Sequence, residues 1–165
     1  MTSTELIALA AINEGKYAQA FPSFGPERRG APVMAFVRIA DVPIRTREKV
    51  YQPDIVVVLD PTILKIVDVT AGLKKKGMVV LNTSKDEGEV SKAFGIKAKM
   101  ALVDATDIAM KHLGRPITNT TMLGALIKAT GIIDIRSMET PLKKRFGRIA
   151  EKNLNAMREA YEQVQ

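Results

Sequence analysis

A proline-rich loop near the N-terminus combines residue types that can bind an anion. Arg28 and Arg29 lie side by side between Gly25 and Gly30, and a guanidinium group can donate two parallel hydrogen bonds to one phosphate or carboxylate. The adjacent Glu27 supports an alternative, in which it pairs with an arginine and only holds the shape of the loop. Because polar loops of this kind are frequent sites of function, we keep both interpretations.

Polar residues also lie at the end of one predicted strand and at the start of one predicted helix. Asn82, Thr83 and Ser84 come directly after an apolar run that predicts a strand, and ligands of open α/β sheets bind beyond the carboxyl ends of strands. A local side-chain-to-backbone turn is the stronger interpretation for these residue types. Asn119 begins a predicted helix, where anions are attracted, although it is better explained as an N-cap.

Several kinds of chemistry are excluded by composition. The 165 residues include no cysteine, so the chain lacks the usual ligands of iron–sulfur clusters and any thiolate nucleophile. His112 is the only histidine, and its place late in a predicted helix before Gly114 indicates an interaction with the helix dipole. Redox centres serving this protein would therefore have to be held by other chains.

The net charge of +7 makes anionic partners plausible. Tryptophan is absent and aromatic residues are only 5% of the chain, so the lysine and arginine clusters at 74–76 and 143–145 lack the interleaved rings of a single-strand binder. We interpret both clusters as solvated faces; nucleic acid is one candidate partner, and an acidic protein or a phosphate-rich ligand such as coenzyme A explains the charge equally well. No apolar run reaches about 20 residues and no signal-peptide pattern is present, which predicts a cytoplasmic protein without membrane contact.

The order of patterns predicts an α/β fold with a helical C-terminal part. A helix from Thr2 to before Gly15 is followed by extended segments at 17–21 and 33–39. Continuous β-branched runs then predict strands buried on both faces of a parallel sheet; they alternate with helices and lie at 54–60, 78–81 and 99–103.

Between these strands we expect a helix from the Asp60 N-cap to about Thr70 and a short one near 89–94. Beyond them, Asp104 predicts a helix to Leu113, and another runs from Asn119 to Gly131. The last helix carries one apolar stripe, which packs on its own core or on a partner chain and consists of Ala150, Leu154, Met157, Tyr161 and Val164.

Four stretches of the sequence resemble one enzyme family. The longest is residues 17–33, YAQAFPSFGPERRGAPV, followed by 35–39, AFVRI. Residues 54–61, DIVVVLDP, and 119–125, NTTMLGA, complete the pattern. Together they resemble the gamma subunit of 2-oxoacid:ferredoxin oxidoreductases, most closely of the pyruvate type, over nearly the whole chain.

The resemblance implies a Rossmann-like gamma domain in an enzyme shared with alpha, beta and delta subunits. Such enzymes oxidatively decarboxylate a 2-oxoacid, transfer the acyl group to coenzyme A and pass electrons to ferredoxin. Thiamine diphosphate, magnesium and the iron–sulfur clusters belong to the partner subunits, and the gamma part lies on the coenzyme A side. On this basis Arg28 or Arg29 would contact a coenzyme A phosphate or the alpha–beta interface, with Gly25, Glu27, Gly30, Asn82, Thr83 and Asn119 as further candidates.

The sequence departs from the family at its beginning. A strand and a glycine-rich turn, Gly-x-Gly-Gly-Gln-Gly, usually precede the first helix, which here begins almost at Met1. We therefore expect a single gamma-type domain over 1–165, shortened at its N-terminus and lacking the first strand. The competing hypothesis is a free-standing basic α/β module that binds nucleotides or nucleic acid with a steep salt dependence.

Overall fold

The first two thirds of the chain contain both strands and helices, and the remainder contains helices alone. The computed structural model describes residues 2–23 and 32–165. In chain order the elements are α1 (Thr2–Asn13), β1 (Tyr17–Pro22), β2 (Ala35–Ala40), β3 (Ile55–Val58), a 3₁₀-helix (Pro61–Lys65), β4 (Met78–Asn82), α2 (Glu87–Phe94), β5 (Lys99–Val103), α3 (Ala105–Leu113), α4 (Asn119–Thr130), a 3₁₀-helix (Ile135–Met138), α5 (Glu139–Phe146), a 3₁₀-helix (Gly147–Ile149) and α6 (Ala150–Gln163).

A three-stranded parallel sheet in the order β3-β4-β5 forms the centre of the fold. Its register aligns Ile55 with Met78, and Met78 with Lys99. Val79, Val80 and Leu81 of the middle strand are fully buried, because β4 has a strand on each side and packed side chains above and below. The predicted α/β fold, with a parallel sheet flanked by helices and a helical C-terminal part, is confirmed.

The two faces of this sheet build two separate cores. On one face Val80, Ala101 and Val103 pack with buried side chains of α1, α3, α4 and α6. On the other face Val79 and Leu81 pack with Val90 of α2 and with the segment after β3. Apolar residues are therefore required on both faces of β4 and β5. This explains why the sequence of each strand is a nearly continuous apolar run and not an alternating one.

The strand β3 is less buried than its sequence predicts. Only Val58 of this strand is buried, while Val57 is 36% exposed, so the prediction of burial on both faces was wrong for β3. The physical reason is its position at the margin of the sheet, where β4 is its only strand neighbour among the described residues. A β-branched run fits a marginal strand as well as a central one.

The segment after β3 also differs from its prediction. Asp60 does cap it, since its Oδ1 accepts the backbone N–H of Thr62 at 3.0 Å. The helix is a 3₁₀-helix that ends at Lys65 and not an α-helix to Thr70. A second Asp–Thr turn follows at once, in which Asp68 Oδ1 accepts the N–H of Thr70 at 3.0 Å, and such turns compete with helix continuation.

The two extended segments near the N-terminus pair with each other. β1 and β2 form an antiparallel hairpin in which Phe21 lies opposite Phe36 and Ala18 opposite Ile39. One face, with Ala18 and Ile39, packs against the first core. The sequence located both strands but not their pairing, and most of the loop that joins them lies outside the described residues.

The apolar stripe of the last helix packs on the chain's own core. Ala150, Leu154 and Met157 are at most 3% exposed, and α6 lies along α4. At Gly124 the two backbones approach so closely that a Cβ atom would be 1.9 Å from the carbonyl oxygen of Met157. None of the helices in the described ranges has the length and apolarity needed to cross a bilayer.

Candidate functional site

The carboxyl ends of the three parallel strands border a cleft of about 390 Å³, which we call the carboxyl-edge cleft. Parallel strands end at a common edge, and the residues that follow them gather there. The 3₁₀-helix after β3, the turn after β4 and the start of α3 all contribute. The lining residues are Pro61, Thr62, Leu64, Lys65, Leu81, Asn82, Thr83, Ser84, Lys85, Phe94, Asp104 and Thr106.

Asn82 holds this edge together. Its Nδ2 donates to the carbonyl of Leu59 and to the hydroxyl of Thr106, both at 2.9 Å. Its Oδ1 accepts the N–H of Ala105 at 2.9 Å and that of Thr106 at 3.3 Å. The side chain is 3% exposed and its hydrogen-bonding capacity is used within the chain. Asn82 thus has a structural role, but a long-range one and not the local turn considered from the sequence.

Thr83 makes the local turn expected of its residue type. Its Oγ1 accepts the backbone N–H of Lys85 at 3.1 Å, which leaves the hydroxyl proton free to be donated to a ligand. Ser84 is exposed and makes no hydrogen bond among the described residues. The turn therefore presents two hydroxyl groups toward the cleft, next to the ammonium group of Lys85.

The cleft carries charged groups of both signs, including two lysines that could bind an anion. Lys65 and Lys85 are both exposed at its rim, and Lys85 Nζ lies 5.9 Å from the ring centroid of Phe94. The lining carboxylate, Asp104, already accepts the N–H of Asp107 at 3.0 Å as the N-cap of α3. Asp60 directly precedes the lining residue Pro61. Its pKa is lowered mainly by a hydrogen bond from the Thr62 hydroxyl and also by one from the Thr62 N–H, so this carboxylate stays charged at neutral pH.

The sequence-predicted site residues are only partly brought together. Asn82 and Thr83 line the cleft, whereas Asn119 lies at the start of α4 and is not among its lining residues. The N-cap of α4 is Thr118, so the prediction that Asn119 is the N-cap was wrong. The Oδ1 atom of Asn119 instead accepts the N–H of Thr120 at 2.9 Å. The candidates Gly25, Glu27, Arg28, Arg29 and Gly30 lie outside the described residues and stay predictions.

The contact of His112 and Lys111 with Glu159 was not predicted from the sequence. His112 Nε2 lies 2.5 Å from Glu159 Oε2, and Lys111 Nζ lies 3.0 Å from the same carboxylate. The hydrogen bond with His112, more than that with Lys111, lowers the pKa of Glu159. His112 had been expected only to interact with its own helix terminus, and no local signal links residues 47 positions apart. In residues 2–23 and 32–165, no three His, Cys, Asp or Glu side chains group to hold a metal.

Comparison with known proteins assigns the chain to a family. Residues 1–163 match the family model described as pyruvate ferredoxin/flavodoxin oxidoreductase. The chain belongs to this family. The resemblance carried by residues 17–33 and the three shorter stretches is thereby confirmed.

Individual relatives agree with this assignment over about nine tenths of their own length. The chain is 56% identical to the common gamma subunit of the pyruvate/ketoisovalerate oxidoreductases of Pyrococcus abyssi, over 100% of this chain and 90% of that protein. It is 52% identical to the pyruvate synthase subunit PorC of Methanothermobacter thermautotrophicus, over 100% and 89%. The crystal structure of the pyruvate oxidoreductase subunit PORC of Thermotoga maritima superimposes with a TM-score of 0.86 at 40% identity, over 99% and 89% of the two chains. The chain is thus a gamma-type member of an oxidoreductase family.

Proposed function

We propose that this chain is the gamma subunit of an enzyme that converts pyruvate, or a related 2-oxoacid, and coenzyme A into the acyl-CoA. The observation that carries the proposal is the carboxyl-edge cleft, which is lined by Lys65 and Lys85 together with the hydroxyl-bearing residues Thr83 and Ser84. The similarity to a common gamma subunit of pyruvate/ketoisovalerate oxidoreductases, over 90% of that protein's length, supports the substrate class.

Coenzyme A fits the chemistry of this cleft. Its phosphates are anionic, and lysines with hydroxyl donors bind phosphate through charge-assisted hydrogen bonds. A volume of about 390 Å³ lies within the usual range for small-molecule sites. The cleft therefore suits part of the coenzyme, while the reacting thiol reaches a centre on another subunit.

The chemical steps belong to partner chains under this proposal. The gamma chain has no cysteine, and its single histidine is engaged with Glu159. Alpha, beta and delta subunits would supply the thiamine diphosphate, magnesium and iron–sulfur clusters, and ferredoxin would accept the electrons. The contribution of the gamma chain is to bind the coenzyme and to assemble with these subunits in the cytoplasm.

The test is a kinetic comparison in the assembled enzyme. In the double variant K65A/K85A we expect the KM for coenzyme A to rise about tenfold, equivalent to about 1.4 kcal/mol, while the KM for pyruvate is unchanged. The control K92A removes an exposed lysine from the last turn of α2 and is expected to have no effect. An unchanged KM for coenzyme A in the double variant, in an enzyme that still assembles, would refute coenzyme binding in the cleft.

A further inference from the structure

Lysines gather at the edge of the sheet opposite the cleft, where the parallel strands begin. The turn before β4 and the segment before and at the start of β5 carry five of them, all exposed. We call this surface the lysine edge, and it comprises Lys74, Lys75, Lys76, Lys97 and Lys99.

The fold fixes these two segments next to each other. The N–H of Gly77 donates to the carbonyl of Lys74 at 2.8 Å, closing a tight turn, and the N–H of Lys74 donates to the carbonyl of Pro53 at 3.1 Å. Met78, one residue past that turn, pairs with Lys99 in the parallel register. The lysines therefore project from one anchored edge and not from independent loops.

The charge of this edge is largely uncompensated. Lys74 Nζ lies 3.0 Å from Asp54 Oδ1, an exposed pair, and the side chains of the other four lysines make no ion pair or hydrogen bond with the described residues. Five lysines less one aspartate leave a local charge of +4, out of +7 for the whole chain. A concentrated field of one sign attracts and orients a surface of the opposite sign.

An exposed aromatic residue lies beside the same turn. Tyr51 is 72% exposed, and its backbone is seated against Gly72, two residues before Lys74. Gly72 has a φ of +77°, and a Cβ there would lie 2.2 Å from the carbonyl oxygen of Tyr51, so a glycine is needed for this contact. Tyrosine is enriched in the centres of protein–protein interfaces.

From these observations we propose that the lysine edge, together with Tyr51, binds an acidic surface on another subunit of the same oxidoreductase. The proposal rests on the function proposed above. A single aromatic beside five lysines offers no series of stacking platforms, which argues against single-stranded nucleic acid. The partner is a resident subunit and not a mobile electron carrier, since a chain without cysteine offers such a carrier no cluster to exchange electrons with.

Crosslinking of the intact enzyme tests the contact directly. A carbodiimide joins lysine amines only to carboxylates in direct contact, and mass spectrometry locates the joined peptides. We expect crosslinks from Lys75, Lys76, Lys97 or Lys99 to aspartates or glutamates of another subunit. The proposal would be overturned if none of these four lysines is crosslinked while lysines elsewhere on the gamma chain are crosslinked to other subunits.

Charge reversal tests whether the contact contributes to assembly. The variant K75E/K76E/K97E is compared with K144E/R148E/K152E, which makes the same change in net charge at exposed positions on α5 and α6 and between them. Each chain is mixed with the remaining subunits, and its co-elution is measured by size exclusion at increasing NaCl. We expect the lysine-edge variant to bind at least about tenfold more weakly than the wild type, and the control to match the wild type.

The outcomes separate this inference from the proposed function. If the wild-type chain fails to co-elute with the other subunits, the proposed function fails and the inference fails with it. If the wild type and both variants co-elute equally, only the inference is overturned. Loss of binding to a poly(dT) oligonucleotide in the lysine-edge variant, with unchanged assembly, would also overturn it in favour of nucleic acid.

Discussion

The Nδ2 atom of Asn82 lies 2.9 Å from the hydroxyl oxygen of Thr106, which joins the carboxyl end of β4 to the first turn of α3. The same side chain bonds to the carbonyl of Leu59 and to the N–H of Ala105. One buried amide therefore connects the ends of three successive strand segments. It sets the spacing of the groups that line the carboxyl-edge cleft.

Substitution of Asn82 by alanine is expected to destabilise the chain. The variant leaves the buried N–H of Ala105 without its partner, which costs about 1–3 kcal/mol, and it also removes the part-buried bonds to the Leu59 carbonyl and the Thr106 hydroxyl. We expect the free energy of unfolding to fall by about 3 kcal/mol in urea titration. Ser84→Ala is the control, expected to change it by less than about 0.5 kcal/mol, and equal effects of the two variants would contradict the role of Asn82.

Gly124→Ala tests the close approach of α4 and α6. The added Cβ would lie 1.9 Å from the Met157 carbonyl oxygen and 3.1 Å from the Tyr161 nitrogen. Both atoms belong to the backbone, so the helices would have to separate, at a cost of about 3 kcal/mol. The change is measured as the shift of the urea midpoint.

The control for that variant is Gly88→Ala in α2. Alanine is favoured over glycine in a helix by up to about 1 kcal/mol, and the new Cβ would meet only the side chain of Asp86 at 3.3 Å. We expect a change within about 1 kcal/mol in either direction. A tolerated alanine at position 124 would mean that the two helices are not packed through their backbones.

Glu159 is expected to make stability depend on pH in the acid range. Its pKa is lowered in the folded chain, chiefly by the hydrogen bond with His112, so its carboxylate stabilises the fold above the unfolded pKa of about 4.3. That contribution is lost as the pH falls through the folded-state pKa. Glu159→Gln should therefore cost about 1 kcal/mol at pH 7, and this difference from the wild type should shrink below about pH 4.

The measurement is a series of urea titrations between pH 3 and pH 7. Glu162→Gln is the control, because Glu162 is exposed and has no hydrogen bond or ion pair among the described residues. A difference between Glu159→Gln and the wild type that stays constant from pH 7 to pH 3 would contradict the assigned role.

The sequence by itself determined most of the local structure. The N-cap role of Asp104, the glycines that follow α3 and α4, and the apolar run of β5 each act within a few residues of the chain. The predicted bounds of β5, 99–103, agree with the structure, and the long 17–33 stretch was enough to suggest the family. The lack of cysteine leaves this chain without the usual ligands of an iron–sulfur cluster.

Only the tertiary structure decided which of these segments meet. The pairing of β1 with β2, the exposure of β3 and the bond from Asn82 to Thr106 depend on contacts between segments far apart in sequence. The carboxyl-edge cleft and the lysine edge exist because parallel register places the ends of three strands together. Such contacts are selected by packing and by the closure of the intervening loops, energies that belong to the whole fold and to no single stretch of residues.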